Sequence, residues 1–306
     1  MAIPPSLIIA NKINLTLNPI GMACATLVLL SIIGLALVNR RLANRMTVRL
    51  ISAIAITDLL AHVGEFYAAS NMSLKLGTPL CTFVNGFRVF SRTFYCITNL
   101  AICFHLYRGL VLLKKSTWRS EVIIWAVTFS TVAIFTLFYW GIGAFEGVTS
   151  RQRCTPGADN PTLQLVFTIV QPTLNVITII ICIFTTIVGH RYLNNWINTY
   201  AESRSYSGEN QTKFKLDRKK MATRSFLYPL STCITLPFEA VFLYLTASGA
   251  YALDMAIPMA IGSCLSGVLT AIAFSIDPAA HKAFKSAYNQ IRGGKVCPES
   301  SLLQTI

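Results

Sequence analysis

The chain has 306 residues, of which 54% are hydrophobic and only 12% charged, against about 25% charged in an ordinary soluble domain. Too little polar surface remains to cover a soluble globule of this size. The formal net charge of +14 does not read as a nucleic-acid surface, because the positive residues sit in the gaps between apolar segments.

Crossing the hydrocarbon layer as a helix takes roughly 20 mostly apolar residues, and seven runs of that kind occur, bounded by charge, Pro or Gly. The first twenty residues lack a positively charged leader followed by a small-residue cleavage site, so the first run is expected to direct insertion itself. That run extends from Pro19 to Val38. The second, Val48 to Ala69, is interrupted by Asp58, His62 and Glu65, and the third, Leu80 to Leu113, is long and the most polar. The fourth covers Val122 to Phe145, the fifth Leu163 to Gly189, the sixth Ala222 to Leu245 and the seventh Asp254 to Ile276. Beyond Pro278, Phe284, Tyr288 and Ile291 recur at helical spacing with basic residues between them, which suits a short helix lying in the membrane interface. Cys297 follows it as a candidate for palmitoylation. The expected fold is an all-α membrane protein: an outer N-terminus over 1–18, one seven-helix domain over 19–277, and a cytoplasmic amphipathic helix and tail over 278–306.

Orientation follows from Lys and Arg, which are enriched in cytoplasmic connections. With the N-terminus outside, twenty of the 26 fall on inner segments, four (Lys12, Lys75, Arg151, Arg153) on outer ones, and Arg88 and Arg92 lie within the third run. Asn14 and Asn71 head glycosylation acceptor triplets on the expected outer face. The inner connection from His190 to Arg218 is basic and suits anionic lipid headgroups or an acidic partner surface.

A charged side chain near the bilayer centre costs at least about 2.5 kcal/mol on insertion scales, so those that persist usually face the bundle interior. Arg88 and Arg92, four residues apart, share one face of the third helix, and Glu65 lies on the face of Asp58 in the second. With Glu239 of the sixth and His62, these residues form either a salt-bridge network or a charged pocket open to the outside. Two adjacent arginines favour planar anions held bidentately; if the glutamates neutralise them fully, a neutral polar ligand such as a sugar fits instead. Asp58 and Asp277 sit deeper, where a carboxylate must be protonated, share a proton or cation, or bond to polar neighbours such as Asn99. Pro172, Pro229, Pro237 and Pro278 each remove a backbone hydrogen bond and permit a kink. Cys81 and Cys154 both lie on the expected outer, oxidising side, which predicts a disulfide between them.

The whole pattern resembles the G-protein-coupled receptors over about residues 19 to 292. The likeness rests on the outer N-terminus, the seven helices, the cysteine pair, the acid in Thr57-Asp58-Leu59-Leu60, the proline of the sixth helix, and Asp277-Pro278 ahead of an amphipathic helix. There are departures: His105-Leu106-Tyr107-Arg108 stands where rhodopsin-like receptors carry Asp-Arg-Tyr, and Thr235-Leu236-Pro237 lacks their tryptophan. The stretch Ala101 to Lys115, the pair Phe238-Glu239 and Phe274-Ser275-Ile276-Asp277-Pro278 are more similar to the cyclic-AMP-receptor-like and fungal glucose-sensing receptors. The resemblance implies a plasma-membrane receptor for an extracellular small molecule, without a cofactor. It also implies an activation switch through Asp58, Asn99, Asp277, Pro278 and Pro237. A heterotrimeric G protein would then meet Arg108, Lys114, Arg218, Lys219 and Lys220.

Other classes fit less well. An opsin needs a lysine in the seventh helix for a retinal Schiff base, and Asp254 to Ile276 has none. A zinc hydrolase needs clustered ligands, yet His62, His105, His190 and His281 are scattered. A transporter or channel for a small anionic or polar solute remains as the alternative, since intramembrane charges also line permeation paths, but no internal repeat divides the chain into two halves.

Overall fold

The computed structural model describes residues 4–38, 40, 46–72, 74–112, 114, 117–148, 154–204, 226–250, 253–276, 284, 285 and 288, without the side chains of 47, 196–198 and 200–204. Every regular element among them is helical: α1 (Pro5–Val38), α2 (Met46–Ser70), α3 (Pro79–Leu110), α4 (Trp118–Gly141), α5 (Pro161–Arg204), α6 (Leu227–Thr235), α7 (Pro237–Ala247), a 3₁₀ turn (Leu253–Met255), α8 (Ala256–Cys264) and α9 (Ser266–Ile276). Among the described residues six helical runs are long and apolar enough to cross a membrane, with α6 and α7 forming one run and the 3₁₀ turn, α8 and α9 another. This is the pattern of a multi-pass membrane protein.

The helix that falls outside those six is α3. It is 32 residues long, but it buries Asn85, Ser91, Thr93, Thr98 and Asn99, which lowers its hydropathy. Its neighbours explain why this is tolerable: α3 packs against α2, α4, α5 and α6, so its polar side chains meet protein rather than lipid. The opposite case is α4, of whose most apolar window only 22% is buried. Ile123, Val127, Ile134, Leu137 and Trp140 point outward from it, as expected where the solvent is hydrocarbon.

Local chemistry sets several helix ends. Thr78 caps α3 by accepting from the Cys81 amide at 3.3 Å, and Pro79 occupies the first turn, where its missing N–H costs nothing. Thr117 and Ser120 form a reciprocal capping box at the start of α4. Pro237 cannot donate to the carbonyl four residues earlier, and there the sixth run breaks into α6 and α7. The break between α8 and α9 falls at Leu265 with no proline.

The first helix begins at Pro5, not at the expected Pro19. Pro19 sits inside α1, and the turns before it are held by packing: Ala10 is buried against Ala256 and Ala260 of α8, with Leu7 and Ile13 beside them. Much of residues 1–18 is therefore helix continuous with the first span. Toward the other end of the bundle, Val28 and Ile32 of α1, Leu50 and Ile54 of α2, Ile102 of α3, Ile124 of α4, Tyr228 of α6 and Ala273 of α9 form one apolar core.

Candidate functional site

Two stripes face each other across the α2–α3 seam. Asp58, His62 and Glu65 recur at spacings of four and three on α2, and Arg88, Arg92, Tyr95 and Asn99 at four, three and four on α3, which places each set on one helical face. Around them stand Asn18 and Gly21 of α1, Thr232 and Thr235 of α6, Glu239 of α7 and Ser266, Gly267 and Thr270 of α9.

The first tier is ionic. Arg88 grips Glu65 with both prongs, Nε to Oε1 at 3.1 Å and Nη2 to Oε2 at 2.8 Å. Arg92 bridges the same carboxylate at 3.6 Å and Glu239 at 3.0 Å. Two cations one turn apart repel, and the two acids cancel that repulsion: the four formal charges sum to zero among side chains that are 12% to 19% exposed. The bidentate fork adds directional hydrogen bonds to the Coulomb attraction. Arg92 thereby ties α2 and α3 to α7, immediately beyond the Pro237 break.

Next lies a tier of neutral hydrogen bonds. His62 is fully enclosed; its Nδ1 lies 2.8 Å from Asn18 Oδ1, and its Nε2 lies 3.2 Å from the Gly267 amide and 3.4 Å from Ser266 Oγ. A backbone N–H can only donate, so Nε2 is the acceptor and the proton sits on Nδ1. The Gly267 amide is available because the helix breaks just before it. The approach is close enough to exclude a larger residue: a Cβ on Gly267 would lie 2.6 Å from the Gly21 carbonyl oxygen. His62 thus acts as a plug joining α1, α2 and α9, with both ring nitrogens engaged.

Deeper still, Thr270 donates to Asp58 Oδ2 at 2.6 Å. Asp58 Oδ1 is buried with no hydrogen-bond partner among the described residues. Asn99, one of the polar neighbours open to a buried acid, donates its amide to the Tyr95 carbonyl at 2.9 Å and accepts at its oxygen from Thr232 at 2.9 Å. Tyr95 Oη lies 3.3 Å from Thr235 Oγ1. A cavity of about 20 Å³ opens among Asn18, His62, Glu65, Arg92, Tyr95 and Thr235, enough for about one water molecule.

At the mouth above the ionic tier, Cys81 and Cys154 are joined by a disulfide. It fastens the α4–α5 connection to the first turn of α3. The same connection folds back on itself through Gly157 N to Ala144 O at 2.8 Å and Gly147 N to Gly157 O at 3.1 Å. Gly147 has φ +89, a conformation that costs glycine little. Asn85 of α3 donates to the Phe145 carbonyl at 3.2 Å.

The remaining sequence-derived positions are scattered. Asn14 lies within α1, where its Oδ1 accepts from Cys264 at 3.4 Å, and Asn71 follows α2, donating to the Tyr67 carbonyl at 2.9 Å. Arg108 is in the last turn of α3, and Lys114 returns its amide to the Arg108 carbonyl at 3.2 Å. Near that end Arg49 of α2 pairs with Glu121 of α4, a link the sequence reading missed. Asp277, Pro278, Arg218, Lys219, Lys220 and Cys297 lie outside the described residues. Sequence reasoning also passed over Asn18, Tyr95, Gly267 and Thr270. Tyr95 alone had a signal, its place on the face of Arg88 and Arg92. No protein-family model and no curated protein matches this chain.

Proposed function

We propose that the chain is a seven-span receptor of the plasma membrane, N-terminus outside, that binds a small extracellular molecule at the ionic tier and reports it to a heterotrimeric G protein. In this reading α3 is the remaining span. At 32 residues and 1.5 Å per residue it measures about 48 Å, long enough to cross, and its polarity belongs to a helix enclosed by others. The twenty-to-four division of Lys and Arg between inner and outer segments orients the bundle.

The observation that carries the reading is the net-neutral Glu65–Arg88–Arg92–Glu239 tier beside a cavity at the level where the sixth run is broken. Because each guanidinium already has a carboxylate, a neutral ligand rich in hydroxyls, such as a sugar, fits without leaving an unpaired charge, whereas an anion has to displace a glutamate. A cavity of about 20 Å³ is closed to any such ligand. Entry therefore requires α7 to swing about Pro237, separating Glu239 from Arg92, and that motion is the signal. Asp58 and Asn99 lie along the path toward the opposite end, and the receptor resemblance adds Asp277 to the switch. There Arg108 and Lys114 stand at the end of α3, and in this reading they meet the G protein together with Arg218, Lys219 and Lys220 of the basic sequence ahead of the sixth run.

The test is nucleotide exchange on G proteins in cells expressing the chain, screened against sugars, nucleotides and organic anions. A ligand that drives exchange is expected to lose tenfold or more in potency with Arg92→Gln, about 1.4 kcal/mol for each tenfold. Reversing the charges at Arg108, Lys114, Arg218, Lys219 and Lys220 together is expected to abolish exchange while ligand binding persists. Solute flux through the purified chain in liposomes, with no exchange in cells, would overturn the receptor reading in favour of a transporter or channel.

A further inference from the structure

Six cysteines are free among the described residues, and two of them touch. Cys103 of α3 and Cys182 of α5 are fully buried, with Sγ atoms 3.3 Å apart. Backbone register sets this contact. Seven residues earlier on both helices, Cys96 Sγ donates to Asn175 Oδ1 at 3.2 Å. The two pairs share one sequence offset of 79, as in helices that run in the same direction with a seven-residue repeat. Beyond them the Tyr107 and Phe184 rings stack with centroids 6.5 Å apart. The thiols are thus held side by side by a parallel seam. An S–H···S contact is a weak hydrogen bond, so packing gains little from having sulfur on both helices.

We propose that Cys103 and Cys182 form a reversible second disulfide across the bundle, made by a two-electron peroxide oxidant. A thiolate attacks one oxygen of hydrogen peroxide and the O–O bond breaks, leaving a sulfenic acid and, with the displaced proton, water. The second sulfur attacks the sulfenic sulfur, the S–S bond forms, and hydroxide departs with the second thiol proton as another water. Each sulfur loses one electron and the peroxide gains two. A dithiol reductant reverses the bond by exchange. Closure takes the sulfurs from 3.3 Å to about 2.05 Å, an adjustment of side chains and helix spacing. A buried thiol is inert until exposed, so the reaction runs when the α3–α5 seam parts, and hydrogen peroxide is small and uncharged enough to enter it. Once formed, the bond fixes α3 to α5 at this depth.

The linkage stands on the seam alone, whereas its effect on signalling rests on the receptor reading. Purified full-length protein in lipid nanodiscs is titrated with hydrogen peroxide until Met72, 38% exposed, is converted to its sulfoxide, then denatured, alkylated and mapped by mass spectrometry. Peptides bearing Cys103 and Cys182 are expected to be linked and to be freed by dithiothreitol. Cys96, which faces an amide oxygen, stays alkylatable, and in Cys182→Ala so does Cys103. Recovery of both Cys103 and Cys182 as free thiols, or as separate sulfinic acids, would overturn the proposal. In the signalling arm the linked receptor is expected to lose at least tenfold in nucleotide exchange, and Cys182→Ala to lose none. Linkage with exchange unchanged would keep the bond and remove its regulatory consequence; no exchange in any sample would strike the receptor reading alone.

Discussion

At the level of Glu65 the bundle interior holds four formal charges paired as two guanidiniums and two carboxylates, whereas at the level of His62, Asp58 and Asn99 it is held by amides, hydroxyls, a histidine donating from Nδ1 and a single carboxyl group with no cation beside it among the described residues. The ionic tier ties α2 and α3 to α7; the neutral tier ties α1 to α2 and α9, and α3 to α6. In the first, each group's partner is its charge balance, and removing one strands another charge in a low-dielectric setting. In the second, a lost partner leaves one dipole unsatisfied, a smaller penalty. The lower tier is also built on backbone: His62 reaches the Gly267 amide only because glycines let α1 and α9 approach. The ionic tier is thus the one joined by side chains alone.

The largest expected effect that sharpens this contrast is Arg92→Gln, which leaves Glu239 without its cation and should cost about 3–5 kcal/mol in thermal or SDS unfolding of the purified protein. Adding Glu239→Gln should recover part of that loss; a double variant no more stable than the single would mean that the pair carries no coupling. Gly267→Val comes next, expected to cost about 1–3 kcal/mol by forcing α9 away from α1, and unfolding at the wild-type midpoint would show that the close approach is absent. Asp58→Asn keeps an oxygen for Thr270 and should change stability by about 1 kcal/mol or less. A loss as large as that of Arg92→Gln would break the distinction between the tiers by placing an essential charge in the lower one. Smallest is Tyr244→Phe, which removes a bond to Thr173 on the exposed edge of α7 and should shift the midpoint by about 0.5 kcal/mol or less.

Much of the architecture was legible because hydrocarbon imposes its pattern locally. A run of some 20 apolar residues reads as a span without any knowledge of its neighbours. The shared face of Arg88 and Arg92 follows from a spacing of four, and the Cys81–Cys154 bond from the placement of both cysteines on one side. Pro19 misled: read as the start of the first run, it lies inside α1, because a proline deletes one hydrogen bond while Ala10, packed on Ala256 and Ala260, holds the turns around it. The partner of Asn99 was not legible, since its four hydrogen-bonding sites suit several groups and only the position of α6 selects Thr232.

The sequence by itself determined that the chain is helical, apolar in runs long enough to cross a membrane, of which it offered seven and six are that long and apolar among the described residues, and obliged to shelter a few charges and amides inside, because each of those properties belongs to a residue and its near neighbours along one helix. Tertiary structure alone decided which acid meets which arginine, which nitrogen of His62 carries the proton, that Gly21 and Gly267 touch, and that Cys103 rests on Cys182. Those facts join residues from 23 to 246 positions apart in the chain. They depend on crossing angles and register between helices, quantities set by the packing of the whole bundle and encoded in no single stretch of it.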